Sequence, residues 1–307
     1  MTTLPTRADV EEAAARIAGR LPRTPLLPGR SLGAQLKCEL FQRTGSFKAR
    51  GALNRVLQLT PEERARGVIA ISAGNHAAAI AFAAAEVGVD ALVVMWQGAS
   101  EQKIEATRRY GGTVDLAATD PAGAFDRLHA LIAETGRVLV HPFDDPVVIA
   151  GAGTVGLEIE QDAPEADAVV VAVGGGGLVS GIQTALAGRM RVIAVEPERS
   201  RALYDGLAAG SAVRVACDSI ADGLNAPFAG GIAIEVCHDI ERVLVTEEEI
   251  TAAFRLLHER AKLAVEPAGA TALAAVIAGK VDAKAPVVVV SGGNVARTTA
   301  SAILAAR

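Results

Sequence analysis

The chain has 307 residues and a formal net charge of −5; half of its residues are hydrophobic but only 3% are aromatic. This length permits two domains around one cleft, and the negative charge disfavours nucleic acid or an anionic membrane surface as a partner. No apolar stretch is long enough to span a bilayer, and the N-terminus lacks the apolar core of a signal peptide. The three cysteines, Cys38, Cys217 and Cys237, do not have the paired spacing of metal ligands. These features predict a cytoplasmic protein with reduced thiols.

Hydrophobic periodicity predicts alternating helices and strands. A first helix is predicted from a Thr6 cap to Leu21, before Pro22, and a late one from the capping pair Thr246 and Glu249 to about residue 264. Strands are predicted at 68–71, 91–96, 113–117, 138–140, 168–173, 191–195, 243–245 and 287–290. The alternation indicates an α/β fold with parallel strands.

Lys48 follows a glycine, a small hydroxyl and an aromatic residue in the segment from Phe41 to Ala52. A lysine in apolar surroundings loses hydration of its ammonium form, so its pKa falls and a neutral amine becomes available. Such an amine can form a Schiff base with an aldehyde cofactor. Taken alone, the segment favours the simpler interpretation of a lysine at the start of a helix.

The segment Ser72-Ala73-Gly74-Asn75-His76 joins the apolar strand 68–71 to an alanine-rich helix. The helix start presents free backbone N–H groups to an anion, and a substrate carboxylate suits that position. The ring of His76 is expected to be a core or capping group, so that its backbone N–H matters more.

The glycines of Gly151-Ala152-Gly153-Thr154-Val155-Gly156 have the spacing of a dinucleotide-binding turn. No clean strand precedes them, and no acidic residue follows about 20 residues later. We therefore expect a glycine-rich turn and the start of a closely packed helix.

Two further strands run into glycine turns. Gly174-Gly175-Gly176-Gly177-Leu178 follows the strand 168–173, and four glycines allow backbone N–H groups to close on a phosphate. Ser291-Gly292-Gly293-Asn294 follows the strand 287–290, which places the Ser291 hydroxyl at the edge where open α/β sheets bind ligands.

Together and in this order, these segments resemble the fold-type II pyridoxal-phosphate enzymes, specifically the serine/threonine dehydratase and serine racemase branch. The resemblance covers nearly the whole chain. It implies a fold similar to the tryptophan synthase β-subunit, with open, twisted, mostly parallel sheets covered by helices. Residues 1–57 and 145–307 would form a large cofactor-binding domain, and 58–144 a small mobile domain carrying the substrate loop. It also implies a homodimer or homotetramer.

The resemblance further implies a role for each motif, with pyridoxal 5′-phosphate as the cofactor. Lys48 and Ser72 are the predicted catalytic residues; Lys48 would carry the cofactor and later remove the Cα proton of an amino acid. Phe47 would pack on the cofactor ring, Asn75 would bind its hydroxyl and Ser291 its nitrogen. The phosphate would be held by Gly174, Gly175, Gly176, Gly177 and Leu178, and the substrate carboxylate by Ser72, Ala73, Gly74, Asn75 and His76.

The implied activity is loss of the β-hydroxyl from L-threonine or L-serine, giving a 2-oxo acid and ammonia. Alternatives are an amino-acid racemase, a dehydratase of another β-hydroxy amino acid such as 3-hydroxyaspartate, and a non-catalytic pyridoxal-phosphate-binding protein. Ala73 stands where serine racemases have a second serine, and Phe143 where they have an asparagine. No arginine in 120–126 is placed to bind a second carboxylate.

No metal site is predicted. Glu196 matches one ligand of the family's cation site, but Ala202 stands where a second carboxylate would be. For Glu266, two interpretations remain open: a residue that contacts the site residues rather than the ligands, or an acid that caps a helix beginning at Pro267.

Overall fold

The computed structural model describes residues 3–305, which form two β-sheets covered by helices. The strands are β1 Leu26–Gly29, β2 Ala34–Cys38, β3 Val68–Ile71, β4 Ala91–Trp96, β5 Thr113–Ala118, β6 Val138–Leu139, β7 Ala168–Ala172, β8 Arg191–Pro197, β9 Glu241–Val245 and β10 Pro286–Val290. The helices are α1 Arg7–Ile17, α2 Lys48–Leu57, α3 Pro61–Arg66, α4 Asn75–Glu86, α5 Glu101–Arg109, α6 Pro121–Thr135, α7 Pro146–Asp162, α8 Gly177–Leu186, α9 Ala202–Ala209, α10 Gly231–Val236, α11 Glu247–Glu259, α12 Pro267–Ile277 and α13 Arg297–Ala305. Among the helices of residues 3–305, none has both the length and the hydropathy that crossing a bilayer requires.

The larger sheet has six strands in the order β1-β2-β10-β7-β8-β9. β1 and β2 pair antiparallel, and every other neighbouring pair is parallel. β7 and β10 are buried along their whole length, which accounts for the valine runs in both strands. The mostly parallel sheet expected from these runs is therefore confirmed.

The smaller sheet has four parallel strands in the order β5-β4-β3-β6. Helix α4 follows β3 and packs on this sheet, and every residue from His76 to Ala84 is buried. Alanine side chains allow this close packing while they favour the helix. The segment Ser72 to His76, called the substrate-loop segment below, thus connects a buried strand to a buried helix.

The four strands of the smaller sheet lie within residues 58–144, and the six strands of the larger sheet lie outside that range. The two sheets are thus consistent with a division into two domains. The boundaries near residues 57 and 145, and the mobility of the smaller domain, remain predictions.

Strands β1 and β2 were not predicted from the sequence. β1 contains Pro28 and Gly29, two residues that are depleted in strands. β2 reads Ala-Gln-Leu-Lys-Cys, so polar residues interrupt its apolar run, although Lys37 is fully buried in the structure. Both strands depend on tertiary contacts that a local pattern does not record.

Two predicted helix ends were too late. α1 ends at Ile17 because Ala18 leaves the helical region with ψ at 138°, four residues before Pro22. α11 ends at Glu259, and Lys262 then adopts a left-handed backbone with φ of 59°.

The prediction of a turn at residues 151–156 was wrong, because these residues lie inside helix α7. The glycines allow close helix packing there. A Cβ on Gly151 would lie 2.7 Å from the Arg50 carbonyl oxygen, and one on Gly153 would lie 2.6 Å from the Gly181 carbonyl oxygen. The glycine spacing is therefore explained by close backbone contacts of α7 with α2 and α8.

Candidate active site

Three neighbouring strands of the larger sheet, β2, β10 and β7, end at the same edge. β7 leads into the glycine turn, Gly174 to Leu178; β10 leads into Ser291; and β2 leads into the segment before Lys48. Backbone contacts join the segment before Lys48 to the segment that begins at Ser291. Phe47 N–H donates to the Ser291 carbonyl (3.1 Å), Gly293 N–H donates to the Gly45 carbonyl (3.0 Å), and Ser46 pairs with Gly292.

Lys48 is the first residue of α2, and its side chain is partly accessible. Its Nζ donates to the Pro142 carbonyl oxygen at 2.6 Å and lies 5.1 Å from the centre of the Phe47 ring. Desolvation by the surrounding protein lowers the pKa of Lys48 to about 8. A substantial fraction of this amine is therefore neutral slightly above neutral pH.

The glycine turn holds unpaired backbone donors. No N–H group from Gly174 to Leu178 has a protein acceptor within residues 3–305. Gly176 has φ of 95°, and a Cβ there would lie 2.4 Å from the Ala233 Cβ. A Cβ on Gly175 would lie 2.3 Å from the Phe143 ring. The turn therefore requires glycine, and Leu178, whose side chain is in the core, contributes its backbone only.

The substrate-loop segment offers a second set of donors. Ser72 Oγ accepts from Gly74 N–H at 3.1 Å, while the N–H groups of Ala73, Asn75 and His76 have no acceptor in the described chain. Asn75 and His76 begin helix α4, so their N–H groups lie at the positive end of its dipole.

The His76 ring is buried, as expected. Its Nε2 contacts the Val140 carbonyl at 2.9 Å, and burial together with the Lys48 charge lowers its pKa to about 3. The ring is therefore neutral at physiological pH. Its Nδ1 is buried without a partner among residues 3–305.

Asn75 is held from two sides. Its Nδ2 donates to Glu266 Oε1 at 2.7 Å, and its Oδ1 accepts from Asn294 Nδ2 at 2.8 Å. Each partner fixes one end of the amide, which leaves one N–H of Nδ2 available for a ligand. Asn294 also donates to the Thr44 carbonyl at 2.7 Å. This positioning role of Asn294 was missed in the sequence, although the residue belongs to a recognised motif.

Glu266 supports the site and does not cap a helix with its side chain. It occupies the N-cap position of α12, but within residues 3–305 its side chain makes no capping hydrogen bond and instead accepts from Asn75. Burial raises the pKa of its carboxyl to about 7, although the Asn75 hydrogen bond lowers it. The structure thus decides between the two interpretations of this residue.

Thr44 carries backbone strain beside Lys48. Its φ of 62° lies in the left-handed region, which is rare for a β-branched residue and costs about 1–3 kcal/mol. The hydrogen bond from Asn294 to its carbonyl holds this conformation. Strained residues persist where the surroundings fix them and are concentrated at functional sites.

The predicted site residues are thus connected through the structure. Phe47, Lys48 and Ser291 lie in directly paired segments, and Asn75 reaches them through Asn294. The glycine turn reaches them through Phe143, which follows the residue that accepts from Lys48. Ser72 and Ala73 are linked to this group through α4 and not by a direct hydrogen bond within residues 3–305.

Comparison with known proteins decides the family. Residues 17–293 match the family described as pyridoxal-phosphate dependent enzyme. The chain belongs to this family. It is 40% identical over 290 residues to the phenylserine dehydratase of Ralstonia pickettii, covering 91% of this chain and 89% of that protein. It is 41% identical over 304 residues to the L-threonine ammonia-lyase of Thermotoga maritima, covering 94% and 76% of the two chains.

The maize serine racemase structure superposes with a TM-score of 0.92 at 34% identity, covering 97% of this chain and 96% of that one. The predicted α/β fold of fold-type II pyridoxal-phosphate enzymes is confirmed by these matches. Pyridoxal phosphate is accordingly the cofactor of this chain's family.

The residues present fit this cofactor. An amine with a lowered pKa suits an aldehyde, and unpaired N–H groups in a turn that excludes side chains suit a phosphate. Lys48 would hold the aldehyde carbon, and Gly174 to Leu178 would hold the phosphate.

Divalent cations are not expected to control this protein. Glu196 accepts N–H groups from Leu203 and Tyr204, both at 2.8 Å, so its oxygens already serve the start of α9. Within residues 3–305, no group of three His, Cys, Asp or Glu side chains could hold a metal ion. We expect activity to survive dialysis against a chelator, because hard cations need several oxygen ligands. A large loss that magnesium or calcium reverses would contradict this prediction.

Removing the charge of Glu266 is expected to change how stability depends on pH. The folded-state pKa of about 7 lies above the ordinary value of 4.5. The stabilising contribution of this carboxyl is therefore complete below pH 4.5 and is lost as the pH rises through about 7. Glu266→Gln keeps an oxygen for Asn75, so its unfolding temperature relative to wild type should be higher at about pH 8 than at about pH 5.

Thermal unfolding of the cofactor-free proteins measures this difference. Glu12→Gln, on the exposed face of α1, is the matched control and should show no such change with pH. A pH-independent difference between Glu266→Gln and wild type would mean that the buried carboxyl does not titrate in this range.

Proposed function

We propose that this protein is a carbon–oxygen lyase that converts L-threonine and/or L-serine to 2-oxobutyrate or pyruvate and ammonia. The observation that carries the proposal is the Lys48 amine, held at 2.6 Å from the carbonyl of Pro142, whose neighbour Phe143 packs against Gly175 of the glycine turn. The names of the two relatives, a dehydratase and an ammonia-lyase, support the same reaction class.

Bound pyridoxal phosphate supplies an aldehyde for the substrate's amino group and a ring that accepts electrons from Cα. Lys48 contributes a neutral amine that takes the Cα proton, since burial holds its pKa near 8. The hydrogen bond to the Pro142 carbonyl orients that amine on one side of the site.

The substrate-loop segment binds the α-carboxylate. The N–H groups of Ala73, Asn75 and His76, which have no acceptor in the described chain, lie at or next to the start of α4, where the helix dipole favours a negative charge. The His76 ring is neutral, so backbone N–H groups and not an imidazolium would meet the carboxylate. Ser72 Oγ is available at the same place.

Elimination then breaks the Cα–H and Cβ–O bonds. The proton goes to Lys48. The hydroxyl leaves as water with one proton, and the Lys48 ammonium releases one, so that no proton is consumed overall. Hydrolysis of the remaining unsaturated amine consumes one water and releases ammonia and the 2-oxo acid. Ser291, a neutral hydroxyl buried at the end of β10, would meet the ring nitrogen without holding it protonated, which favours elimination over transamination.

Other side chains remain alternatives within this proposal. The phenylserine dehydratase relative supports a β-aryl substrate. A second carboxylate, as in 3-hydroxyaspartate, is less well supported, because Arg127, the basic residue next to 120–126, pairs with Asp115. The open glycine turn and substrate loop argue against a non-catalytic cofactor-binding protein.

The test is a 2-oxo acid assay of the holoenzyme with L-threonine, L-serine, phenylserine and 3-hydroxyaspartate, with chiral analysis of the remaining substrate. We expect 2-oxo acid from threonine or serine. Absence of 2-oxo acid from all four substrates would exclude the dehydratase.

Elimination is expected to exceed racemisation because of Ala73. A racemase needs a proton donor on the face of the substrate opposite Lys48, and a methyl group cannot supply one. With L-serine, pyruvate should form much faster than D-serine, and Ala73→Ser should raise the share of D-serine. Chiral chromatography measures both products. D-serine formed by the wild type as fast as pyruvate would favour the racemase, which the similarity to maize serine racemase keeps in view.

We also propose a cytoplasmic enzyme that forms a homodimer or homotetramer. Three cysteines without disulfide partners, two of them buried, are compatible with a reducing compartment. Light scattering of the purified holoenzyme would measure its oligomeric state.

A further inference from the structure

Four charged side chains are buried beside the helix that carries Lys48. They belong to Lys37 on β2, Glu39 directly after β2, Arg50 on α2 and Glu158 on α7. Lys37 and Glu39 have no exposed surface, and Arg50 is 1% exposed. Desolvation offsets much of the attraction between buried ions, so a buried cluster is weak evidence for stability, and the geometry of its hydrogen bonds is the informative feature.

Arg50 uses every donor of its guanidinium. Nε and Nη2 donate to the two oxygens of Glu39, both at 2.8 Å. Nη1 and Nη2 donate to the two oxygens of Glu158 at 2.7 and 3.0 Å. The remaining Nη1 proton reaches Thr154 Oγ1 at 3.1 Å. Only a planar guanidinium can bridge two carboxylates in this way.

Lys37 neutralises the cluster without bridging it. Its Nζ lies 2.7 Å from Glu158 Oε2 and donates to the Thr24 carbonyl at 2.8 Å and to Asp162 at 3.3 Å. None of these contacts reaches α2. Within this cluster, Arg50 is therefore the residue that reaches from α2 to β2 and α7. Helix α2 also contacts the start of α7 through Asn54, which donates to the Val147 carbonyl at 2.7 Å, and through Arg55, which donates to Asp145 at 3.2 Å.

Helices α2 and α7 are also in backbone contact at this point. A Cβ on Gly51 would lie 2.5 Å from the Val148 carbonyl oxygen, and a Cβ on Gly151 would lie 2.7 Å from the Arg50 carbonyl oxygen. The guanidinium thus joins two helices that touch, so that neither can slide without breaking charge-assisted hydrogen bonds.

Helix α2 carries the donor of the Lys48 hydrogen bond, and the acceptor lies in the segment that leads into α7. α2 begins at Lys48, and the acceptor Pro142 stands four residues before α7 begins at Pro146. We propose that Arg50 is a positioning residue for Lys48: by bridging Glu39 and Glu158 it fixes α2 against α7 and holds the Lys48 amine on the Pro142 carbonyl. The proposal rests on the proposed function only in taking Lys48 as the reacting amine.

The test compares Arg50→Lys with Arg7→Lys. Arg7 on α1 pairs with Glu160, two residues after Glu158 on the same helix, and makes no contact with α2 through that pair. Both substitutions keep the positive charge but replace a planar guanidinium that binds a carboxylate of α7. Arg50→Lys should lower kcat about 10²-fold with little change in KM, since small displacements of a reacting group have effects of that size. Arg7→Lys should leave kcat unchanged.

A second readout does not depend on turnover. In the cofactor-free protein, the rate of acetylation of Lys48 can be followed against pH by mass spectrometry of its peptide. Loosening α2 admits water to the amine, so Lys48 should titrate at higher pH in Arg50→Lys than in wild type or Arg7→Lys. An Arg50→Lys protein that is less stable but has wild-type kcat and wild-type Lys48 titration would overturn the positioning role.

Thr154→Val provides a milder version of the same test should Arg50→Lys not fold. It removes one acceptor of Arg50 and no charge, and should move kcat and the Lys48 titration in the same direction by a smaller factor. Unchanged values in that variant would also overturn the proposal. Failure of the proposed function is distinguishable, because an inactive wild type would still show the shift in Lys48 titration.

Discussion

Lys48→Ala is expected to abolish both turnover and the visible absorbance of the holoenzyme. The amine is the only group proposed both to attach the cofactor and to take the Cα proton, and a methyl group can do neither. The structure supports this double use, because Lys48 is partly accessible as a residue, desolvation lowers the pKa of its amine to about 8, and Nζ donates to the Pro142 carbonyl.

The experiment measures the absorbance spectrum after dialysis with excess cofactor, and then 2-oxo acid formation. Lys280→Ala is the matched control, because Lys280 forms a surface ion pair with Glu249 and should change neither readout. Turnover by Lys48→Ala at the wild-type rate would remove Lys48 from the mechanism. Retained turnover with altered absorbance would separate the attachment role from the proton-transfer role.

The chemistry of the site was predictable wherever a short segment carries it alone. A glycine run after a valine strand specifies a turn with free N–H groups whatever surrounds it, and the structure places that turn at the end of β7. The same holds for the loop from Ser72 to His76, because the start of a helix has unpaired donors by construction. In both cases the backbone, and not a distant side chain, supplies the predicted groups.

The contacts that orient the site were not predictable in this way. Lys48 and its acceptor are 94 residues apart in sequence, and Asn75 is 191 residues from Glu266 and 219 residues from Asn294. No local periodicity records such pairs. Arg50 illustrates the difficulty best, since an arginine inside an amphipathic helix is expected to face solvent and is instead buried between two carboxylates.

A local glycine pattern can also predict a turn that does not form. Residues 151–156 have the glycines of a phosphate-binding turn but lie inside α7, where they make room for α2 and α8. Gly174 to Gly177 have no such fingerprint, yet this segment presents the free donors. What distinguishes the two is the preceding chain, because a buried strand leads into the second segment and an Asp-Pro helix start leads into the first.

Gly176→Ala is expected to weaken cofactor binding at least about tenfold, which corresponds to about 1.4 kcal/mol. At φ of 95° a Cβ costs about 1–2 kcal/mol in backbone strain, and here it would also lie 2.4 Å from the Ala233 Cβ. The variant can relieve both only by moving the turn, which displaces the N–H groups of Gly174 to Leu178 from a bound phosphate. The ratio of kcat/KM for threonine and serine at saturating cofactor should stay unchanged, because the substrate loop connects β3 to α4 and is not part of the turn.

Gly188→Ala separates strain from cofactor binding. Gly188 follows the other end of α8 and has φ of 80°, but a Cβ there would meet no atom of residues 3–305 within 4 Å. Its substitution carries a similar backbone cost with no displacement of the turn, so it should lower the unfolding temperature and leave cofactor affinity as in wild type. Titration of the cofactor-free proteins with pyridoxal phosphate measures the two affinities. Equal affinities for Gly176→Ala and Gly188→Ala, together with a changed threonine-to-serine ratio in Gly176→Ala, would move the glycine turn from the cofactor site to the substrate site.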